Sequence, residues 1–124
     1  MKNILLVEPD KQTAKLLEAG LKIDGTQIFH ASDSQQAILI ADKNLPDIVV
    51  LELGIPDQNG VAFLHEFRSY VEWVDVPVIV HTNLLIDTDA VSTIKKNLKV
   101  KNVFYKPDTT IKSLRLSVLD GLGL

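Results

Sequence analysis

Residues 49–60 read VVLELGIPDQNG. Val49, Val50 and Leu51 form an apolar run that ends in Glu52, and Gly54, Pro56, Asp57, Asn59 and Gly60 mark the next residues as a loop. An apolar run without polar alternation is what a parallel strand covered on both faces requires. The same pattern recurs at residues 4–7 and 78–80. Around these runs the spacing predicts strands at NILLV (3–7), TQIFHA (26–31), DIVVLE (47–52), VPVIVH (76–81) and VKNVFY (100–105). Amphipathic helices are expected between and after them, near 10–23, 33–43, 59–71, 87–97 and 109–121. Asp10 stands at an N-cap position behind Pro9, Ser32 or Asp33 can cap the second helix, and Asn59 or Asp57 the third. Pro46, Pro56, Pro77 and Pro107 all fall between elements, where a missing N–H costs least.

Strands alternating with helices fold as α/β layers. Right-handed crossovers leave few topologies. The expected one is a flavodoxin-like (βα)5 three-layer sandwich with a parallel five-stranded sheet in the order 2-1-3-4-5. No repeat, linker or low-complexity segment interrupts the pattern, so residues 1–124 read as one domain, with no output domain after the last helix. The absence of cysteine excludes disulfides, thiolate metal sites and thiol redox switching. A formal net charge of −3 argues against a nucleic-acid surface. No apolar run approaches the ~20 residues of a membrane span, and ILLV is too short for a signal peptide, so a cytoplasmic location is expected. His30, His65 and His81 fall on different elements without metal-ligand spacing, and Trp73 reads as a packing residue at a helix end.

In such a sheet ligands gather at the carboxyl ends of the strands, near the switch point between strands one and three. Those ends are Val7-Glu8-Pro9-Asp10, Leu51-Glu52-Leu53-Gly54, His81-Thr82-Asn83 and Lys106-Pro107. Carboxylates, a hydroxyl and an ammonium therefore converge on one edge. With the acidic residues after ILLV, Glu52 in VLELGIP, the Gly60 loop, Thr82 after VIVH and Lys106-Pro107 in this order, the whole chain resembles the receiver domain of two-component response regulators. The resemblance implies that the position of Glu52 belongs to an Asp that accepts a phosphoryl group from a sensor histidine kinase. It also implies an acidic pair after strand one that holds Mg²⁺, together with that Asp and the carbonyl two residues beyond it, here Gly54. Thr82 and Lys106 would contact the phosphoryl oxygens, and the Lys106–Pro107 bond would be cis. Such transfer depends on positioning and charge neutralisation.

This chain departs from that recipe at three positions. Glu52 adds a methylene and moves the carboxylate on the order of 1 Å outward, where misplacement of that size can lower a rate about 100-fold. Pro9 replaces the acidic residue expected to bind Mg²⁺ most directly, and Val103 stands where receivers place the aromatic ring that swings inward on activation. The expectation is an atypical pseudo-receiver that acts as a phosphorylation-independent interaction module and is not an enzyme. Glu8, Asp10, Glu52, Gly54, Thr82 and Lys106 form its degenerate phosphoacceptor pocket, with no catalytic residue among them. No cofactor is expected, beyond weak Mg²⁺ at Glu8, Glu52 and the Gly54 carbonyl. Glu52 is expected to pair with Lys106, since a buried ammonium needs a carboxylate neighbour, and to mimic the charge of a phosphorylated Asp. The alternatives are a competent phosphorelay receiver with a non-standard carboxylate acceptor, and a small-ligand sensor.

In the last helix Ile111, Leu114, Val118 and Leu122 form a stripe expected to face the sheet, which turns Leu116 outward and puts Leu119 at the flank. By the resemblance, the face of the fourth helix, fifth strand and fifth helix serves dimers and output partners. Val103, Leu116 and Leu119 are the expected interaction residues, for a sensor kinase, an output protein or a second copy.

Overall fold

Three stretches of unbroken aliphatic residues become the middle of the sheet. The computed structural model describes residues 1–124. It places β1 (Lys2–Val7), β2 (Thr26–Ala31), β3 (Ile48–Leu51), β4 (Val78–Thr82) and β5 (Val100–Tyr105) in one parallel sheet of order β2-β1-β3-β4-β5. The helices are α1 (Lys11–Gly20), α2 (Ser34–Lys43), α3 (Gly60–Ser69), α4 (Thr88–Asn97) and α5 (Ile111–Gly121), with single 3-10 turns at Val71–Trp73 and Lys106–Asp108. This is the expected flavodoxin-like sandwich.

Alternation along each central strand fills both faces of the sheet. Leu5, Val7, Val49, Leu51, Val78 and Val80 pack under α2, α3 and α4, with Phe63 and Phe67 as the bulkiest contributors. Ile4, Leu6, Ile48, Val50 and Ile79 pack under α1 and α5, against Leu17, Leu114 and Val118. Full burial of such side chains contributes about 1.5–3 kcal/mol each. Trp73 closes one end of the first cluster by stacking on Phe67 at 5.0 Å between ring centroids, the packing role its sequence context suggests.

The element ends differ from the expected ones for local reasons. α1 stops at Gly20, after which Leu21 and Ile23 turn into the core. β4 begins after Pro77, which has no N–H to give a ladder. Asp10, Asp33 and Asn59 cap α1, α2 and α3, while Asp57, in the loop before α3, binds the start of α2 instead. Two expectations are corrected. No peptide bond is cis, so the Lys106–Pro107 bond is trans. Ile111 does not join the buried stripe of Leu114, Val118 and Leu122; it is exposed and rests against Gly20, where it leaves no room for a Cβ.

Two further features hold the site's loops. Gly60 opens α3 with its N–H on the Leu53 carbonyl at 2.9 Å, and a Cβ there would come within 2.7 Å of that oxygen. Only glycine permits this close approach, so the loop from Glu52 to Asn59 is drawn tight. Arg68 on α3 donates to the carbonyls of Trp73, Val76, Leu98 and Lys99, tying the 3-10 turn to the α4–β5 connection.

Candidate functional site

β1 and β3 end one residue before Glu8 and Glu52, yet both backbones stay in register. Glu8 N–H donates to Ala31 O at 2.9 Å and Glu52 N–H to Val7 O at 3.0 Å. The two carboxylates therefore sit side by side at the carboxyl edge, and Thr82 ends the neighbouring strand β4. Glu8, Glu52 and Thr82 are only 2%, 6% and 1% exposed. Burial at that level demands partners.

Lys106 supplies the first of them. Its ammonium lies 2.6 Å from Glu8 Oε1 and 2.8 Å from Glu52 Oε1, a bridge between two carboxylates. Glu52 Oε1 also accepts from Asn83 N–H at 3.0 Å, and Oε2 accepts from Gly54 N–H at 2.9 Å and from the Thr82 hydroxyl. That hydroxyl in turn accepts from Leu84 N–H at 3.0 Å. Glu8 Oε2 takes the Asp10 N–H at 3.1 Å. Every carboxylate oxygen is occupied, and the network runs unbroken from β1 through Glu52 to the β4–α4 loop.

The charges are set by these contacts. Burial alone would raise the Glu52 pKa, but hydrogen bonds from Gly54, Lys106, Thr82 and Asn83 outweigh it and hold the carboxyl below its ordinary value. Glu52 is thus ionised at neutral pH. His81, beside Thr82 on β4, is also buried, and its Nδ1 has no partner. Burial, with the nearby Lys106 ammonium adding to it against a smaller opposing effect of Glu52, lowers its pKa to about 4. The ring is neutral at pH 7.

The structure brings Glu8, Glu52, Gly54, Thr82 and Lys106 together. Asp10 stands apart: its carboxylate caps α1 by accepting from Gln12 N–H at 2.9 Å, and only its backbone reaches the cluster. This donor set does not fit Mg²⁺, which needs a near-octahedral oxygen shell. The Lys106 ammonium bridges Glu8 and Glu52, Pro9 offers no side-chain ligand, and no three acidic or histidine side chains are grouped to hold a metal.

On the other side of Thr82 lies an open cleft of about 270 Å³, lined by Thr82, Leu84, Leu85, Ile86, Val91, Val103, Tyr105 and Asp108. Val103 is half-buried and packs on the core beneath it. Of the other interaction residues, Leu116 is 57% exposed, whereas Leu119 packs partly on the α1–α5 side of the core. Leu119 is therefore less available as a free surface than its flank position suggests.

Residues 4–114 match the family model of the response regulator receiver domain. The chain belongs to this family. Over 94 residues it is 33% identical to the KDP operon transcriptional regulatory protein KdpE of Escherichia coli, covering 76% of this chain and 40% of that protein. It is 33% identical over 82 residues to the virulence transcriptional regulatory protein PhoP of Salmonella typhimurium, covering 66% of this chain and 36% of that one. The receiver thus spans well under half the length of these relatives. Among solved structures, the signal receiver domain of a DNA binding response regulator from Colwellia psychrerythraea superposes with a TM-score of 0.88 at 26% identity, each chain covered in full. A response regulator receiver domain protein from Clostridium thermocellum gives 0.84 at 22% identity, over 99% of this chain and 95% of that one.

Three site features escaped the sequence reading. His81 under the Lys106–Glu52 pair carries no motif. Asp57, which accepts from the Ser34 hydroxyl at 2.6 Å, acts across elements that only the fold brings together. Tyr105 had a readable signal: strand alternation puts residues 103 and 105 on one face, so this receiver has an aromatic in the Thr82 cleft after all.

Proposed function

We propose that this receiver is an atypical, phosphorylation-independent member that works as a protein-interaction module in two-component signalling, with Glu52 standing in for a phosphorylated acceptor. One observation carries the reading. The two groups that the family resemblance assigns to phosphoryl oxygens, the Thr82 hydroxyl and the Lys106 ammonium, are both bound to the Glu52 carboxylate. The extra methylene places a negative charge among those donors, whose other contacts, Lys106 with Glu8 and Thr82 with the Leu84 N–H, tie the same cluster together. Pro9 and the Lys106 bridge favour a site that uses no Mg²⁺ and carries out no catalysis. Its partners are then a sensor kinase or an output protein, with the domain itself making no nucleic-acid contact. No helix is long and apolar enough to cross a membrane, which is compatible with work in the cytoplasm. A second copy can add through the face of α4, β5 and α5. The mass in solution of Leu116→Glu beside wild type tests that contact, which requires a smaller particle for the variant.

Incubation with Mg²⁺ and acetyl phosphate, followed by intact-mass measurement, tests the main reading. The expected result is an unchanged mass. A stoichiometric phosphoryl adduct that disappears in Glu52→Ala would contradict it and favour a competent phosphorelay receiver.

A further inference from the structure

The largest concavity of the domain lies away from the strand-end cluster, between α2 and α3. It measures about 520 Å³, within the ~300–1,000 Å³ of small-ligand sites, with Gln35, Ile38 and Leu39 on one wall and Gln58 and Glu66 on the other. A fixed contact closes one end. Asp57 accepts from Ser34 N–H at 3.0 Å, from the Ser34 hydroxyl at 2.6 Å and from Gln35 N–H at 3.1 Å. Those bonds commit the Asp57 charge to the first turn of α2. Glu66 is not committed. It is half-buried, its Oε1 accepts only from the Gln58 side-chain amide at 3.2 Å, its Oε2 accepts nothing from the protein, and it joins no ion pair. No lysine, arginine or histidine lines the cleft. A carboxylate partly withdrawn from water with one neutral partner favours a cation beside it. The α2 wall is apolar: Ile38 packs partly on the core, and Leu39 is 62% exposed.

We infer that this cleft binds a small organic cation, an amidinium or guanidinium held by Glu66 and Gln58 on a compact apolar body that covers Ile38 and Leu39. A planar cation with paired N–H groups matches a carboxylate with two bonds at once, and the Gln58 side-chain oxygen, which has no donor in the fold, can accept a third. A small molecule fits better than a partner surface because the apolar wall ends abruptly. The next exposed positions along the two helices, Asp42, Ala62 and Ser69, carry no large apolar side chain, whereas a stable protein interface buries about 800 Å² on each partner around an apolar core. The inference goes beyond the interaction module proposed above and does not rest on it.

The test is NMR titration of the ¹⁵N-labelled domain with benzamidine, with its neutral isostere benzamide, and with guanidinium ion, at fixed pH and salt. Benzamidine is expected to bind at about millimolar concentration or tighter and to shift the amides of Gln35, Leu39, Gln58 and Glu66. Benzamide lacks the charge and guanidinium lacks the body, so each should bind about tenfold or more weakly. Glu66→Gln keeps the side chain's size and its bond from Gln58, and should weaken benzamidine about tenfold. Leu39→Ser, an exposed change, should weaken it about threefold. Glu72→Gln, at an exposed acid outside the cleft, should leave binding unchanged. Unshifted amides elsewhere in each variant show that the fold is kept. No shift up to about 20 mM benzamidine would overturn the inference. Equal binding of benzamidine and benzamide, or undiminished binding by Glu66→Gln, would do the same. So would an arginine-bearing peptide that binds about tenfold more tightly than benzamidine with shifts spreading beyond the cleft, which would make this face a protein-docking surface.

Discussion

The strand-end cluster and the cleft share Thr82 and are otherwise opposites. On one side of it two carboxylates, an ammonium and three backbone amides are closed on one another, with every carboxylate oxygen occupied. On the other, Leu84 and Leu85 face solvent and Asp108 takes part in no ion pair. The first region has used up its bonding capacity inside the fold, and the second leaves its side chains open to solvent. A buried network is stable only while each member is paired, so damage there should be severe, whereas changes in the open cleft should barely register in stability.

The largest break is Lys106→Met. It leaves Glu8 and Glu52 buried without their cation and should destabilise the domain by about 3–5 kcal/mol in urea unfolding. A loss below about 1 kcal/mol would mean the cluster is not closed in the way described. Acid gives the next effect. His81 has a folded pKa of about 4 against an ordinary 6.5, so its contribution is complete above pH 6.5 and is lost as pH falls toward 4. Glu52, held below its ordinary 4.5, adds stability that is present above that value and lost beneath it. Both act in the same direction, and the His81 part amounts to at most about 3 kcal/mol. His81→Leu should flatten the stability profile between pH 6.5 and 4; an unchanged slope would show that the ring is not held neutral.

Gly60→Ala probes the loop that carries Gly54 to Glu52. Its Cβ meets the Leu53 backbone, and a loss of about 1–3 kcal/mol is expected from thermal or urea unfolding. The smallest effect belongs to the cleft: Leu85→Ser should change stability by no more than about 0.5 kcal/mol. A larger loss would mean that Leu85 is packed, and the contrast between the two regions would fail.

Much of the closed region was legible because it depends on strand ends. Unbroken runs at Ile4–Val7 and Ile48–Leu51 mark central parallel strands, and the topology then brings Glu8, Glu52, Thr82 and Lys106 to one edge. Sequence could not supply how far each side chain reaches. Asp10 reads equally as pocket acid and helix cap, and only the structure shows its carboxylate turned to Gln12. Arg68 looks like an ordinary surface arginine until the fold gathers five backbone carbonyls around it. The open cleft was harder still, because exposed leucines in a loop have no periodicity to betray them.

The central claim is that the Glu52 charge holds the β4–α4 loop, and amide hydrogen exchange reads it directly. Asn83 N–H donates to Glu52 and Leu84 N–H to the Thr82 hydroxyl that Glu52 fixes, though both residues lie in an exposed loop. In wild type both amides should be protected. In Glu52→Gln, which cannot accept from the same four donors, both should exchange about tenfold or more faster while Leu5 and Leu6 keep their protection. Equal exchange at Asn83 and Leu84 in the two proteins would contradict the account.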